Sequence, residues 1–194
     1  MNIGGPTPSQ TAGPYFSMRL AGSGENVLVA GPVEGEQIRI DGILMDGAGR
    51  HVEDGLVEIW QANAEGRYRQ PDDDPGVSSD HSFTGFGRAQ TSFTDGSFFF
   101  ETIKPGPVPD PEGELQAPHL NVVIQGRGIL RPYFTRVYFS DEQPANEHDL
   151  VLGMIPDDRR ETLIATKVET TSDPIVYEIV FRLQGPDETV FLTF

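Results

Sequence analysis

The chain contains no cysteine, which removes disulfide staples, thiolate metal sites and cysteine nucleophiles in one step. Basic residues are scarce: 14 Lys and Arg stand against 30 Asp and Glu, a formal net charge of -16. Such a surface repels nucleic acid and anionic membranes, so those partner classes drop out. In so acidic a protein, an anionic ligand needs a specific Arg or Lys set against it. No apolar run reaches membrane-spanning length, and Met1-Asn2-Ile3-Gly4-Gly5-Pro6 lacks the basic start and apolar stretch of a secretory leader. The expectation is a cytoplasmic protein. Also missing are a Ser or Thr nucleophile in a glycine-framed elbow and a Gly-rich loop opening a helix to cradle phosphate. Hydrolase and nucleotide-enzyme chemistry lose weight accordingly.

What is present is strand pattern. Across 194 residues, enough for one domain with its own core, apolar and polar residues alternate in short runs broken by turn signals such as Asp46-Gly47-Ala48-Gly49 and Asp95-Gly96. After a strand-like stretch at 27–30, strands are predicted over 37–45, 56–61, 87–93, 98–103, 119–125, 133–139, 175–184 and 189–194. The pair flanking Asp95-Gly96 reads as a hairpin. Short helices are predicted over 142–150 and 156–165, the second opening with Pro-Asp-Asp. The fold class is therefore all-β, a single-domain β-sandwich with one or two short helices. Residues 1–26 read as an extended N-terminal arm ahead of the sandwich at 27–194. The arm is rich in Gly, Pro, Ser and Thr yet carries Tyr15-Phe16, which suggests that it docks on something. Trp60, the only Trp, reads as core filling.

Between 98 and 124, two strand-like runs flank a loop with prolines at 105, 107, 109 and 111, where regular pairing is blocked. On the second run His119 and Asn121 stand two apart and share a face. Two readings are open for His119: a metal ligand at a loop edge, or a hydrogen-bonded structural residue. His51 and His148 sit among surface residues. Asp72-Asp73-Asp74 lacks the frame of a calcium loop and reads as solvated. Phenolate and imidazole together suit ferric iron, but the sequence places no second His and no Tyr near His119 within 104–118. Arg136 falls on the opposite face from Tyr133, Thr135, Val137 and Phe139.

Four motifs in order carry a resemblance: Thr7-Pro8-Ser9-Gln10-Thr11-Ala12-Gly13-Pro14-Tyr15, Val57-Glu58-Ile59-Trp60-Gln61-Ala62-Asn63-Ala64-Glu65-Gly66-Arg67-Tyr68, Thr102-Ile103-Lys104-Pro105-Gly106 and Ala117-Pro118-His119-Leu120-Asn121-Val122. With the closing run at 182–191, they resemble the intradiol ring-cleavage dioxygenases over essentially the whole chain. Iron-bearing members of that family hold ferric iron with two Tyr and two His. One Tyr follows the Trp-containing strand, one follows the Lys-Pro-Gly run, and the His form a His-x-His pair. Here 69–87 holds no Tyr, Val108 stands in the second Tyr position, and the pair reads His119-Leu120-Asn121.

The resemblance therefore implies a chain with no metal ligands and no catalytic residues of its own, His119 being a retained structural residue. A homologous beta subunit would carry the Fe(3+). The reaction it implies is O2-dependent cleavage of 3,4-dihydroxybenzoate to 3-carboxy-cis,cis-muconate in aromatic catabolism. By residue-for-residue match it places Thr11, Ala12, Gly13, Pro14 and Tyr15 on the pocket wall and Arg127 on the substrate side. Arg127 also fits a structural salt bridge across the subunit interface. Two rival readings are a stand-alone dioxygenase with altered ligands and a β-sandwich small-molecule binding module.

Overall fold

The computed structural model describes residues 7–11, 13, 20–69, 82–169 and 174–193. Ten strands are ordered along the described chain: β1 (Gln37–Met45), β2 (Leu56–Gln61), β3 (Phe86–Gln90), β4 (Ser97–Ile103), β5 (Val108–Pro109), β6 (Leu115–Gln116), β7 (His119–Gln125), β8 (Tyr133–Phe139), β9 (Ile164–Lys167) and β10 (Ile175–Arg182). Eight of them run β3-β2-β7-β8-β9-β10-β1-β4, while β5 and β6 pair only with each other. The order divides into two four-stranded layers, because β8 and β9 share just two parallel pairs, Tyr138 with Ile164 and Phe139 with Ala165. Val57, Ile59, Val122 and Ile124 of one layer join Ile40, Leu44, Phe100, Tyr177 and Phe181 of the other in one core. The all-β sandwich expected from the alternation is the fold observed.

Within β1 the alternation is strict: Ile38, Ile40, Gly42 and Leu44 face inward. Gly42 has a packing reason, since a Cβ there would collide with the ring of Phe98, its neighbour across the β1/β4 ladder. Freed of that clash, Phe98 stacks parallel on Phe181 at 5.9 Å and edge-on to Phe100 at 6.0 Å, geometries favoured by aromatic quadrupoles.

Five expectations are corrected. The strands flanking Asp95-Gly96 do not form a hairpin. β3 pairs with β2 and β4 with β1, so the turn carries the chain from one layer to the other, closed by Ser92 N donating to Ser97 O at 2.7 Å. The segment 156–165 is helical only over α3 (Asp157–Arg160) and a 3-10 turn (Glu161–Leu163). It then extends into β9, which pairs with β8 and β10. The segment 189–194 touches the sheet by the single bridge Phe134 to Leu192, and 27–30 likewise contributes two isolated bridges rather than a strand. Trp60 is not core. It is 48% exposed on the outer face of β2, while Gln61 takes the inner place.

The predicted helix over 142–150 is divided into α1 (Gln143–His148) and α2 (Leu150–Gly153) at Asp149, whose extended backbone and carboxylate cap the start of α2. Leu152 and Ile155 pack with Tyr138, Leu163 and Ala117 in a second, smaller cluster. His51 and His148 are exposed, as expected.

Candidate functional site

Two places in the fold gather the residues of interest. The first is the corner after β7. The turn at Gly126-Arg127-Gly128 closes with Ile129 N donating to Gly126 O at 3.1 Å, and Gly128 adopts φ +88°, a conformation that suits glycine. Thr11 clamps this turn: its Oγ1 donates to Gly126 O at 3.3 Å and accepts from Gly128 N at 3.1 Å. Gly13 N donates to the same oxygen at 3.2 Å, with Gly13 itself at φ +63°. The arm thus meets the Arg127 turn through one hydroxyl. Of the predicted substrate-side residues, Thr11, Gly13 and Arg127 come together here; Ala12, Pro14 and Tyr15 lie outside the described residues.

Arg127 projects from the tip of the turn, 66% exposed, with Nε 3.0 Å from Asp54 Oδ2. Its counter-ion therefore comes from its own chain. Asp54 is much the less exposed partner, so it holds the stem of Arg127 while the guanidinium keeps an open side.

The second place is the outer face of β2, β7 and β8 around His119, which is buried. His119 Nδ1 donates to Ala117 O at 2.7 Å, which leaves Nε2 as the acceptor. Tyr68 O–H lies 3.3 Å from that nitrogen, and Asn121 Nδ2 donates back to the Tyr68 oxygen at 2.7 Å. Tyr68 reaches this point because the turn before it is anchored. Asn63 Oδ1 accepts from Glu65 N and Arg67 N, and Asn63 O accepts from Gly106 N at 2.9 Å.

Arg136 completes the group. Its Nη1 donates to Gln116 Oε1 at 2.8 Å and to the Tyr138 hydroxyl at 3.4 Å, and Tyr138 in turn donates to Asp149 Oδ1 at 3.0 Å. Burial, reinforced by the Arg136 charge, pulls the His119 imidazole down to about 4, so it is neutral at pH 7. Burial also pushes the Tyr68 phenol above its ordinary value.

This set does not fit a ferric ion. The lone pair that His119 would offer is taken by Tyr68, the Tyr68 phenol is held protonated, Asn121 turns its amide N–H inward, and Arg136 adds positive charge. Val108 is buried and has no donor to give. Among the described residues no group of three or more His, Cys, Asp or Glu is gathered as a metal site. Reading along the chain did not find Tyr68, since it lies 51 residues from His119 and outside 104–118. Arg136 was visible as the odd residue of its strand, on the face away from the aromatic row, without a stated role.

A dioxygenase family model matches residues 11–185. The protocatechuate 3,4-dioxygenase alpha chain of Burkholderia cepacia is 41% identical over 196 residues, 95% of each chain. The beta chain of the protocatechuate 3,4-dioxygenase of the same organism is 32% identical over 170 residues, 85% of this chain and 72% of that one. Among solved structures, the dioxygenase domain of a dioxygenase and carbohydrate-binding protein fusion from Streptomyces sp. SirexAA-E shares the fold, with a TM-score of 0.64 over 93% of this chain and 99% of that chain at 24% identity. A match of this extent to the family model and to an alpha chain leaves one conclusion: the chain belongs to the dioxygenase family that includes the alpha and beta chains of protocatechuate 3,4-dioxygenase.

Proposed function

We propose that the chain is the subunit of a protocatechuate 3,4-dioxygenase that bears no iron and completes the pocket on a homologous beta subunit. The observation that carries this reading is the donor set around His119. In a chain 41% identical to an alpha chain, His119 and Asn121, at the positions of the family's His pair, are both already bonded to Tyr68. The Fe(3+) is assigned to the beta subunit, where it would supply the oxidation of 3,4-dihydroxybenzoate by O2 to 3-carboxy-cis,cis-muconate.

This chain's share is binding. Arg127 keeps an open side beyond its Asp54 pair, suited to the ring carboxylate of the substrate. Thr11 and Gly13, fixed on the same turn, set the backbone of the arm beside it, with Ala12, Pro14 and Tyr15 as the rest of the wall. The arm at 1–26 docks on the partner and the body at 27–194 forms the sandwich. Among the described residues no helix is long and apolar enough to cross a membrane. The cysteine-free composition suits a cytoplasmic complex.

Co-expression tests the assignment. With a beta-type chain co-expressed, a coloured complex that consumes O2 in the presence of 3,4-dihydroxybenzoate is expected, with iron counted at one per alpha-beta pair. This chain alone is expected to be colourless and inactive. Stoichiometric ferric iron on the isolated chain would overturn the reading in favour of a stand-alone dioxygenase.

A further inference from the structure

Arg127 stands at the tip of its turn with two-thirds of its side chain exposed. A long cationic side chain left loose samples many rotamers, and fixing it at the moment of binding costs affinity. Thr11 secures the backbone beneath it by bonds to Gly126 O and Gly128 N, but neither bond reaches the guanidinium. The side chain is held by Asp54, whose Oδ2 lies 3.0 Å from Nε. Among the described residues this is the one ion pair that either residue makes.

Asp54 is itself seated. Only 15% of its side chain is exposed, and Thr91, buried just after β3, grips its turn from below. Thr91 Oγ1 accepts from Gly55 N at 2.8 Å and donates to Val52 O at 2.6 Å, while Thr91 N donates to Gly55 O at 2.9 Å. Val52 N donates in turn to Leu44 O of β1 at 2.9 Å. The two turns also meet directly, since a Cβ on Gly126 would lie 3.7 Å from Gly55 Cα. Asp54 therefore holds a fixed place relative to the base of the Arg127 turn.

Where the carboxylate meets the guanidinium matters. A partner at Nε leaves Nη1 and Nη2 free, and that terminal edge can take a second carboxylate through two parallel bonds. Stability does not explain an acid at this position, because so exposed a pair contributes little to folding. Charge alone argues against it, because in a chain of net charge -16 one more carboxylate beside the Arg repels an anionic ligand. Orientation is the effect that accounts for it.

We infer that Asp54 is a positioning residue: seated by Thr91, it fixes the Arg127 guanidinium with its terminal N–H edge turned to the carboxylate of the substrate. The identity of that carboxylate rests on the proposed function, whereas the hold of Asp54 on Arg127 does not.

The test uses the alpha-beta complex and Asp54→Asn, which keeps the shape of the side chain and removes its charge. KM for 3,4-dihydroxybenzoate is expected to rise about threefold with kcat little altered, and the same change on top of Arg127→Ala is expected to add nothing. Where Arg127→Ala raises KM, a KM in Asp54→Asn that is unchanged or lower would overturn the inference, a lower one showing that the Asp54 charge chiefly repels substrate. Additive effects of the two changes would overturn it as well, since Asp54 would then act on the fold and not through Arg127. Phenylglyoxal labelling of the substrate-free complex, mapped by peptide mass, reads the pair directly, because only a deprotonated guanidinium reacts and a carboxylate partner keeps the proton in place. Labelling at Arg127 is expected to be about threefold faster in Asp54→Asn, and an unchanged rate would overturn the inference whatever the kinetics show. Faster labelling together with an unchanged KM in Arg127→Ala would count against the proposed function and leave the hold of Asp54 on Arg127 standing.

Discussion

Removing the Tyr68 hydroxyl would leave two neighbours short at once, because His119 Nε2 loses its donor and Asn121 Nδ2 its best acceptor. Buried groups stripped of a partner cost about 1–3 kcal/mol. Tyr68→Phe is therefore expected to lower stability by about that amount, read as a drop in the urea midpoint with the slope unchanged; an unmoved midpoint would show that water replaces the phenol freely. Arg127 is governed by different physics. It is two-thirds exposed, so its ion pair with Asp54 contributes under about 1 kcal/mol to folding, and its removal is expected to leave stability nearly unchanged. In the alpha-beta complex, Arg127→Ala is expected to raise KM for 3,4-dihydroxybenzoate about tenfold with kcat little altered, the pattern of a lost binding contact. Unchanged kinetics would reduce Arg127 to the partner of Asp54.

At the scale of the strand, Gly42 and Phe98 make the sharpest test. Gly42→Ala puts a methyl group where the Phe98 ring lies, and overpacking of this kind costs about 1–3 kcal/mol. The expected result is a lower thermal midpoint that Phe98→Leu in the same chain partly restores, since the two residues share one contact. Strict additivity of the two changes would show that the ring is not displaced. The inward run of β1 and the alternation of β10 were legible in sequence because one face of each is apolar throughout. β2 misled for a physical reason. Its inner face ends in Gln61, whose amide donates to Ile103 O and accepts from Thr102 O–H, so a fully satisfied polar residue is buried while Trp60 stands outside. Hydrophobicity ranks the two in reverse; the period of two, followed from Val57 and Ile59, places both correctly. β9 stayed hidden because Leu163 and Ala165 extend a helical start without a break in composition.

Over the whole molecule, the sandwich was legible but its seam was not, since nothing in the sequence of β8 or β9 announces that only two residue pairs join the layers. The site shows the same division. The motifs around Thr11, Arg127 and His119 could be read along the chain, whereas the Tyr68 bond and the bonds of Arg136 to Gln116 and Tyr138 exist only once distant strands align. Reinforcement of the seam comes from Asp141, just beyond β8. It accepts from Lys104 Nζ after β4 at 3.0 Å, Lys167 Nζ at the end of β9 at 3.0 Å and the Tyr177 hydroxyl of β10 at 2.9 Å. Burial pushes this carboxyl upward, but the bonds from Lys167, Lys104 and Tyr177 outweigh it and hold it at about 2. A folded value below the ordinary 3.8 means that the stabilisation is complete above about pH 4 and is lost as pH falls from there towards 2. Acid also neutralises other carboxylates of a chain with net charge -16, relieving self-repulsion, so the wild-type curve alone mixes opposing effects. The difference between wild type and Asp141→Asn isolates the hub. Urea unfolding is expected to separate the two by about 1–3 kcal/mol at pH 7, with the gap closing between pH 4 and pH 2. A gap that stays constant over that range would show that the carboxylate charge of Asp141 does not hold the layers together.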